Sequence, residues 1–337
     1  MRTLENKEMT IKFGLFGLEQ HVGVILGGVE ANPDLVEFVA VGSPYRKDDG
    51  RLRELSRRYG ALIYEDYRDM LADGVEVLGL CTVNNEKAQV IIECIRRGVH
   101  VVTDKPLCIE MDELEAIEKA LTVKKGVAIS MLLTLRGSPA YIEVKRIVDK
   151  GKIGKPISIY ARRAFALRPA SRPKWLFDWR RSGGIIVELA VHDVDYARWL
   201  VNESVEEVRA YHGKARQEFT GEYQDHAEVL MRFENGTVAF IEANRLVPER
   251  VRSDCMLRVT GSKGTVKIED GEVILLTEGF KGEVRDLPEP VNVFVDFVEA
   301  LKTGRRPLVP TEDVLEATRI TLEARASAMT QSVGSTV

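Results

Sequence analysis

At 337 residues, with 45% hydrophobic and 30% charged side chains, the chain is long enough for two ordinary domains and is not composed like a disordered protein. A net charge of -4 gives no electrostatic reason to expect nucleic acid or an anionic membrane as partner. Four cysteines without CxxC spacing, no apolar run of spanning length and a polar, mixed-charge start read as a cytoplasmic protein with reduced thiols.

Residues 11–17 read as a buried strand running into glycine, followed by a helix from 20 to 31 that stops at Asn32-Pro33. Strand 35–41, helix 51–59, strand 61–64, helix 66–71 and strand 75–81 continue the alternation. Helix 85–97, strand 99–102, helix 112–122 and strand 127–131 complete it. Apolar strands alternating with helices predict a parallel sheet covered on both faces, the doubly wound dinucleotide-binding arrangement, over residues 9–131.

From about residue 155 the pattern changes to strands at 156–165, 205–214, 224–233, 236–245, 253–260 and 264–276. Asn235-Gly236 and the run Gly261 to Gly264 supply turns, and two helices are legible, 184–201 and 311–329. Residues 132–337 are therefore expected to form an α+β domain with a large open, mostly antiparallel sheet.

Four segments carry chemistry. In the first strand–turn–helix, Gly17, Leu18, Glu19, Gln20 and His21 stand where a pyrophosphate-binding turn belongs. Of the GxGxxG glycines only Gly17 is present; Glu19 brings bulk and negative charge to the phosphate position, and Val22 replaces the third glycine. After the second strand, Ser43 and Arg46 offer donors to a 2′-phosphate where an acidic residue would favour NAD, a slight lean to NADP. At the end of the fifth strand, Asp104-Lys105-Pro106 puts a lysine at the sheet edge where ligands bind. In the helix around 184–201, Glu188 and His192 lie four apart on one face, with Asp195 three further on. A histidine there can take a hydroxyl proton and a carboxylate can orient it. Segment 160–181 is rich in arginines and aromatics, including Arg163, Trp175 and Trp179. It suits a polyol, a sugar acid or a sugar phosphate, or else a loop clamped by its tryptophans. No HExxH or Cys/His cluster is present, so no metal is expected, although Glu188, His192 and His226 supply possible ligands.

Together these segments resemble the Gfo/Idh/MocA oxidoreductases, named for glucose–fructose oxidoreductase, inositol dehydrogenase and rhizopine catabolism. The likeness rests on Asp104-Lys105-Pro106, on Glu188 to Asp195, on Thr82-Val83-Asn84 and Arg136, and on the turn Gly261 to Gly264. It implies NAD(P) as cofactor, a sugar or polyol substrate, and a homodimer or homotetramer formed through the C-terminal sheet. It also implies catalytic roles for Lys105, Glu188 and His192, with Thr82, Asn84 and Asp104 facing the cofactor and Arg136 and Asp195 near the substrate. The chain departs from the family pattern at Glu19, at Val83, at Lys87 (where many members carry histidine) and at Glu188, which replaces aspartate. Glu19 keeps open a non-catalytic sugar- or nucleotide-binding relative; a redox-neutral lyase or hydrolase with tightly held NAD is a further alternative.

Overall fold

The computed structural model describes residues 10–45, 50–216 and 223–331. In chain order the first half runs β1 (Ile11–Phe16), α1 (Val22–Ala31), β2 (Val36–Gly42), α2 (Gly50–Tyr59), β3 (Leu62–Tyr64), α3 (Tyr67–Ala72), β4 (Val77–Leu80), α4 (Lys87–Arg97), β5 (His100–Thr103), α5 (Met111–Val123) and β6 (Ile129–Met131). The second half runs α6 (Pro139–Asp149), β7 (Pro156–Phe165), α7 (Trp179–Ser182), α8 (Val191–Val201), β8 (Val205–Gly213), β9 (His226–Phe233), β10 (Val238–Asn244), β11 (Ser253–Gly261), β12 (Gly264–Glu269), β13 (Glu272–Thr277), β14 (Phe280–Glu283), α9 (Val293–Thr303) and α10 (Thr311–Gln331).

The first sheet has order β3-β2-β1-β4-β5-β6, parallel throughout. Of its central strands, β4 is buried along its length and β1 over Phe13–Phe16, as a sheet covered on both faces requires. The strand order reverses between β1 and β4, which opens a crevice at their C-terminal ends.

The second sheet has order β14-β13-β12-β11-β7-β10-β9-β8, antiparallel except where β7 meets β10. The residues of β9 alternate between the core and the outside, so α8 and α10 cover one face and the other lies open. The register puts Tyr160, Tyr211, Leu230 and Phe240 together on that open face.

Several elements differ from the sequence reading, which also left α7 and β14 unassigned. The strand expected over 264–276 is a hairpin, because Asp270 and Gly271 turn the chain with φ of 51° and 83°. Helix α6, which opens on Pro139 in its first turn, falls in a stretch left unassigned. Helix α9 does too, and it packs back on the first sheet: Phe294 meets Phe13 edge-to-face at 5.2 Å, and Asn292 donates to the Val24 carbonyl at 3.0 Å. A division of the chain at 131/132 therefore leaves α9, on one face of the first sheet, and Val314 and Leu322 of α10, on the other, on the far side of the cut. No helix among the described residues is long and apolar enough to cross a membrane.

Candidate active site

The turn after β1 is built at the strand-order reversal. Gly17 has φ of 86°, and a Cβ there would lie 2.3 Å from the Cys81 carbonyl oxygen, so only glycine fits. Its N–H donates to the Gly42 carbonyl at 2.8 Å, and the Glu19 N–H donates to the Cys81 carbonyl at 2.9 Å. The turn is thus pinned to the ends of both β2 and β4. Leu18 is buried in the core. No side chain caps α1 at His21; Val22 and Val24 donate to the Glu19 and His21 carbonyls at 3.4 and 2.9 Å, so what the uncapped end offers an anion is the positive pole of the helix more than a full set of free N–H groups. The Thr82 hydroxyl beside this turn is buried without a partner. These features fit a dinucleotide. Ser43 is buried at the end of β2, while Arg46 lies outside the described residues.

The Glu19 carboxylate accepts from the indole N–H of Trp175 at 3.3 Å, across to the second half of the chain. The charge that the sequence puts among the phosphates is engaged by that indole, which lowers the expected conflict with a pyrophosphate.

At the end of β5, Lys87 of α4 anchors the Asp104-Lys105-Pro106 segment. Its buried ammonium donates to the carbonyls of Asp104 at 2.7 Å, Lys105 at 3.0 Å and Pro106 at 3.2 Å. Burial lowers the Lys87 pKa to about 8 despite nearby Asp104. Asp104 accepts from the Lys105 N–H at 2.8 Å and bonds His21 Nδ1 at 2.8 Å. Burial pushes its carboxyl up, but Lys87 and His21 outweigh this and hold it below the usual range.

Gly183 and Gly184, with φ of 87° and 79°, lead into a π-helical turn over Ile186–Ala190 that precedes α8. The turn aims Glu188 inward. Lys105 Nζ donates to its carboxylate at 2.7 Å and to its main-chain carbonyl at 2.6 Å. Arg245, just beyond β10, donates to both carboxylate oxygens at 2.9 and 2.7 Å. Burial pushes the Glu188 pKa up; Arg245 and Lys105 more than reverse it, and the carboxylate titrates well below its ordinary value. His192 stands one turn on, edge-to-face with His21 at 6.4 Å between centroids, its Nδ1 buried and unpartnered. Burial, then Arg163, Lys105 and His21, drive its pKa well below the ordinary histidine value, so the imidazole is neutral. A cavity of about 320 Å³ opens among Lys105, Glu188, His192 and His21 on one side and Arg163, Arg172 and Arg245 on the other.

Other candidates go elsewhere. Arg136 forms a fork on Asp195 at 2.9 and 2.5 Å and also donates to Asp313 at 2.7 Å, tying the turn before α6 to α8 and α10 outside this cavity. The structure brings neither Arg136 nor Asp195 to the cavity, because each is consumed by the other. Arg163 lines the cavity but is held from behind by Asp193. Trp175 packs with Leu167, Leu176 and Tyr223, whereas Trp179 faces a second cavity of about 390 Å³. His226 bonds Asp225 at 3.0 Å on β9 and does not line the cavity of Lys105. Asn84 is buried, accepting from Gln20 at 3.2 Å and donating to the Ser182 carbonyl at 2.9 Å. Among the described residues no group of His, Cys, Asp and Glu side chains is arranged to hold a metal ion. The sequence reading missed Arg172 and Arg245; an arginine ending a strand of alternating burial was the available signal for the latter.

The doubly wound sheet, the glycine turn at its reversal and the neighbouring cavity define an NAD-binding oxidoreductase of two-domain build. Residues 11–132 match the oxidoreductase family with an NAD-binding Rossmann fold, and residues 141–267 match the GFO/IDH/MocA C-terminal domain; the chain belongs to this family. It is 26% identical over 293 residues to scyllo-inositol 2-dehydrogenase (NAD(+)) of Bacillus subtilis, covering 82% of each chain. It is 29% identical over 287 residues to Myo-inositol 2-dehydrogenase of Thermotoga maritima, covering 80% of this chain and 83% of that one. Among solved structures, aldose-aldose oxidoreductase of Caulobacter crescentus shares the fold with a TM-score of 0.82 at 20% identity, over 96% of this chain and 98% of that one. The WlbA dehydrogenase of Chromobacterium violaceum, solved with NADH and UDP-GlcNAcA, gives 0.83 at 20% identity, over 96% and 95%.

Proposed function

We propose that the protein is an NAD(P)-dependent dehydrogenase or reductase of a secondary alcohol on a sugar, cyclic polyol or sugar derivative, with Lys105, Glu188 and His192 around the reacting carbon. The observation that carries this reading is the buried Lys105–Glu188 pair beside a neutral His192, next to the glycine turn. The inositol dehydrogenases among its relatives support the substrate class.

A bound nicotinamide supplies the hydride acceptor or donor. The main chain of Gly17 to His21 would hold the pyrophosphate, with Thr82, Asn84 and Asp104 toward the ribose and nicotinamide. Ser43 and Arg46 would favour NADP. His192, neutral at pH 7, accepts the hydroxyl proton in oxidation and returns it in reduction. Lys105 donates to the substrate oxygen and stabilises its growing negative charge. Glu188 fixes the Lys105 ammonium and balances its charge against Arg245. The apolar residues on the open face of the second sheet, Leu230, Phe240 and Tyr211, support assembly into a homodimer or homotetramer through that face.

Fluorescence titration with NADPH and NADH, then a screen of polyols and sugars, tests the reading. Micromolar binding of either cofactor with turnover of a polyol or sugar supports it, and tighter NADPH binding supports the role of Ser43 and Arg46. Absence of cofactor binding overturns it in favour of a non-catalytic relative.

A further inference from the structure

The cavity wall carries an unbalanced charge. Lys105, Arg163, Arg172 and Arg245 line it, and Glu188 is the one carboxylate among its lining residues. Glu188 is shared between Lys105 and Arg245, and Asp193 is bound to Arg163 from behind. Arg172 is left over. Its Nε donates to the Leu167 carbonyl at 3.2 Å, and among the described residues no carboxylate pairs with it. Burial and the nearby Arg245 guanidinium both push its pKa below the ordinary arginine value, and Glu188 only partly opposes them. Arg168 adds a further positive charge nearby. A second donor is poorly met: Arg245 binds Glu188 through one terminal nitrogen, and its buried Nε makes no hydrogen bond of normal geometry, with the Tyr223 hydroxyl the polar group beside this guanidinium.

A half-buried cation with no counterion destabilises the empty cavity, and the cost is relieved when a ligand brings a negative oxygen. Building on the alcohol-oxidoreductase reading above, we infer that the substrate carries an acidic group, a carboxylate or a phosphate, received by Arg172 with Arg245 as second donor. The planar guanidinium fork of Arg172 matches either group. A volume of about 320 Å³, near the small end of ligand pockets, suits a single sugar or polyol acid. The inositols that name two relatives are uncharged, so this substrate class sets the chain apart from them.

Calorimetry on the NADH- or NADPH-loaded protein tests the inference with matched probes: glucose and myo-inositol as neutral ligands, gluconate and glucuronate as carboxylates, and glucose 6-phosphate as phosphate. The expected result is at least one anionic probe binding about 10–100-fold more tightly than its neutral counterpart, the worth of one charge-assisted hydrogen bond. In Arg172→Gln that ratio should collapse toward one, and Arg172→Lys should recover part of it. The stronger arm, carboxylate or phosphate, identifies the acid. No anionic preference in the wild type, including no binding by any probe, overturns the inference, as does a preference that survives Arg172→Gln. Absorbance at 340 nm in the same panel with NAD+ or NADP+ separates the two readings. A wild type that prefers anions but oxidises none of the probes keeps the charge assignment and counts against the oxidoreductase mechanism. A wild type that oxidises neutral and acidic probes alike keeps the mechanism and removes the charge assignment. Circular dichroism melting of both variants checks that they fold.

Discussion

Lys105 and Glu188, 83 positions apart, meet at 2.7 Å where the Rossmann half joins the second half, and both are almost wholly buried. Because Arg245 also binds Glu188, removing either partner of the pair has a different consequence. Lys105→Met leaves Glu188 neutralised by Arg245, so the fold should hold while kcat/KM drops about 10²–10³-fold, the usual effect of losing one charge-stabilising donor. Glu188→Gln strands two buried cations and should destabilise the protein by about 3–5 kcal/mol. Urea unfolding and steady-state kinetics on both variants check the contrast. Equal effects on turnover and stability in the two would contradict it.

The pH dependence of alcohol oxidation should report His192. Its folded pKa is held well below the ordinary value, so the neutral, proton-accepting form persists as pH falls through 6.5. The acid limb of kcat/KM is therefore expected below pH 6.5, and His192→Asn should abolish that limb and slow turnover by about 10²–10⁴-fold. Stability follows the same sign. The unfolded chain takes up a proton near pH 6.5 that the folded site refuses, so stability declines as pH falls below that point. A limb centred above pH 7 would exclude His192 as the base.

Lys87 makes a prediction of the same sign in the alkaline range. Its pKa is about 8 in the folded protein and near 10.5 in the unfolded chain. Between those values the unfolded state binds the extra proton, so the Lys87 contribution to stability rises with pH, by about 3 kcal/mol across the window. Denaturation of wild type and Lys87→Met from pH 7.5 to 10.5 measures it as a difference in slope. The variant also leaves three carbonyls of the Lys105 segment unmet, so it should lose turnover as well as stability. Parallel slopes would refute the buried, charge-strained state of this lysine.

The first half of the chain was the more legible because a parallel sheet covered on both faces writes long apolar runs, and each of β1 to β6 falls within or beside such a run. Period and turn chemistry also located the hairpin at Asn235-Gly236. Helix α9 was invisible because its partner, α1, lies 268 positions away, and no local pattern says which sheet an amphipathic helix will cover. In the site, spacing put Glu188 and His192 on one face. It had no means of telling that Asp195, three residues on, faces Arg136. Nor did it show that Glu188 is met by Arg245, 57 residues downstream. Side-chain identity was readable; the partner across the fold was not.

Arg136 and Asp195 should behave as structure. The pair is fully buried, and Asp313 and the Leu308 carbonyl complete its bonding. Arg136→Met leaves the Asp195 carboxylate alone in the core and should cost about 3–5 kcal/mol of stability, with KM unchanged at temperatures where the variant stays folded. A raised KM without a lowered melting temperature would return Arg136 to the substrate.

The Glu19–Trp175 hydrogen bond gives the cofactor turn its own prediction. A carboxylate at this position should repel a pyrophosphate by about 1 kcal/mol, the interaction of two unit charges about 4 Å apart at the dielectric of water, yet here the carboxylate accepts from an indole N–H. Trp175→Phe removes that donor while keeping most of the apolar contact with Leu167 and Leu176. Its dissociation constant for NADPH or NADH should rise about fivefold, and by less at high salt, where the repulsion is screened. Glu19→Gly removes the charge itself, so affinity should hold or improve, and the double variant should bind like Glu19→Gly alone. Fluorescence titration of the three variants closes this cycle. If Trp175→Phe binds like wild type, the indole has no hold on the charge. If Glu19→Gly binds more weakly than wild type, Glu19 is a ligand of the cofactor, and the turn has adapted to the missing glycine by using the acid that replaced it.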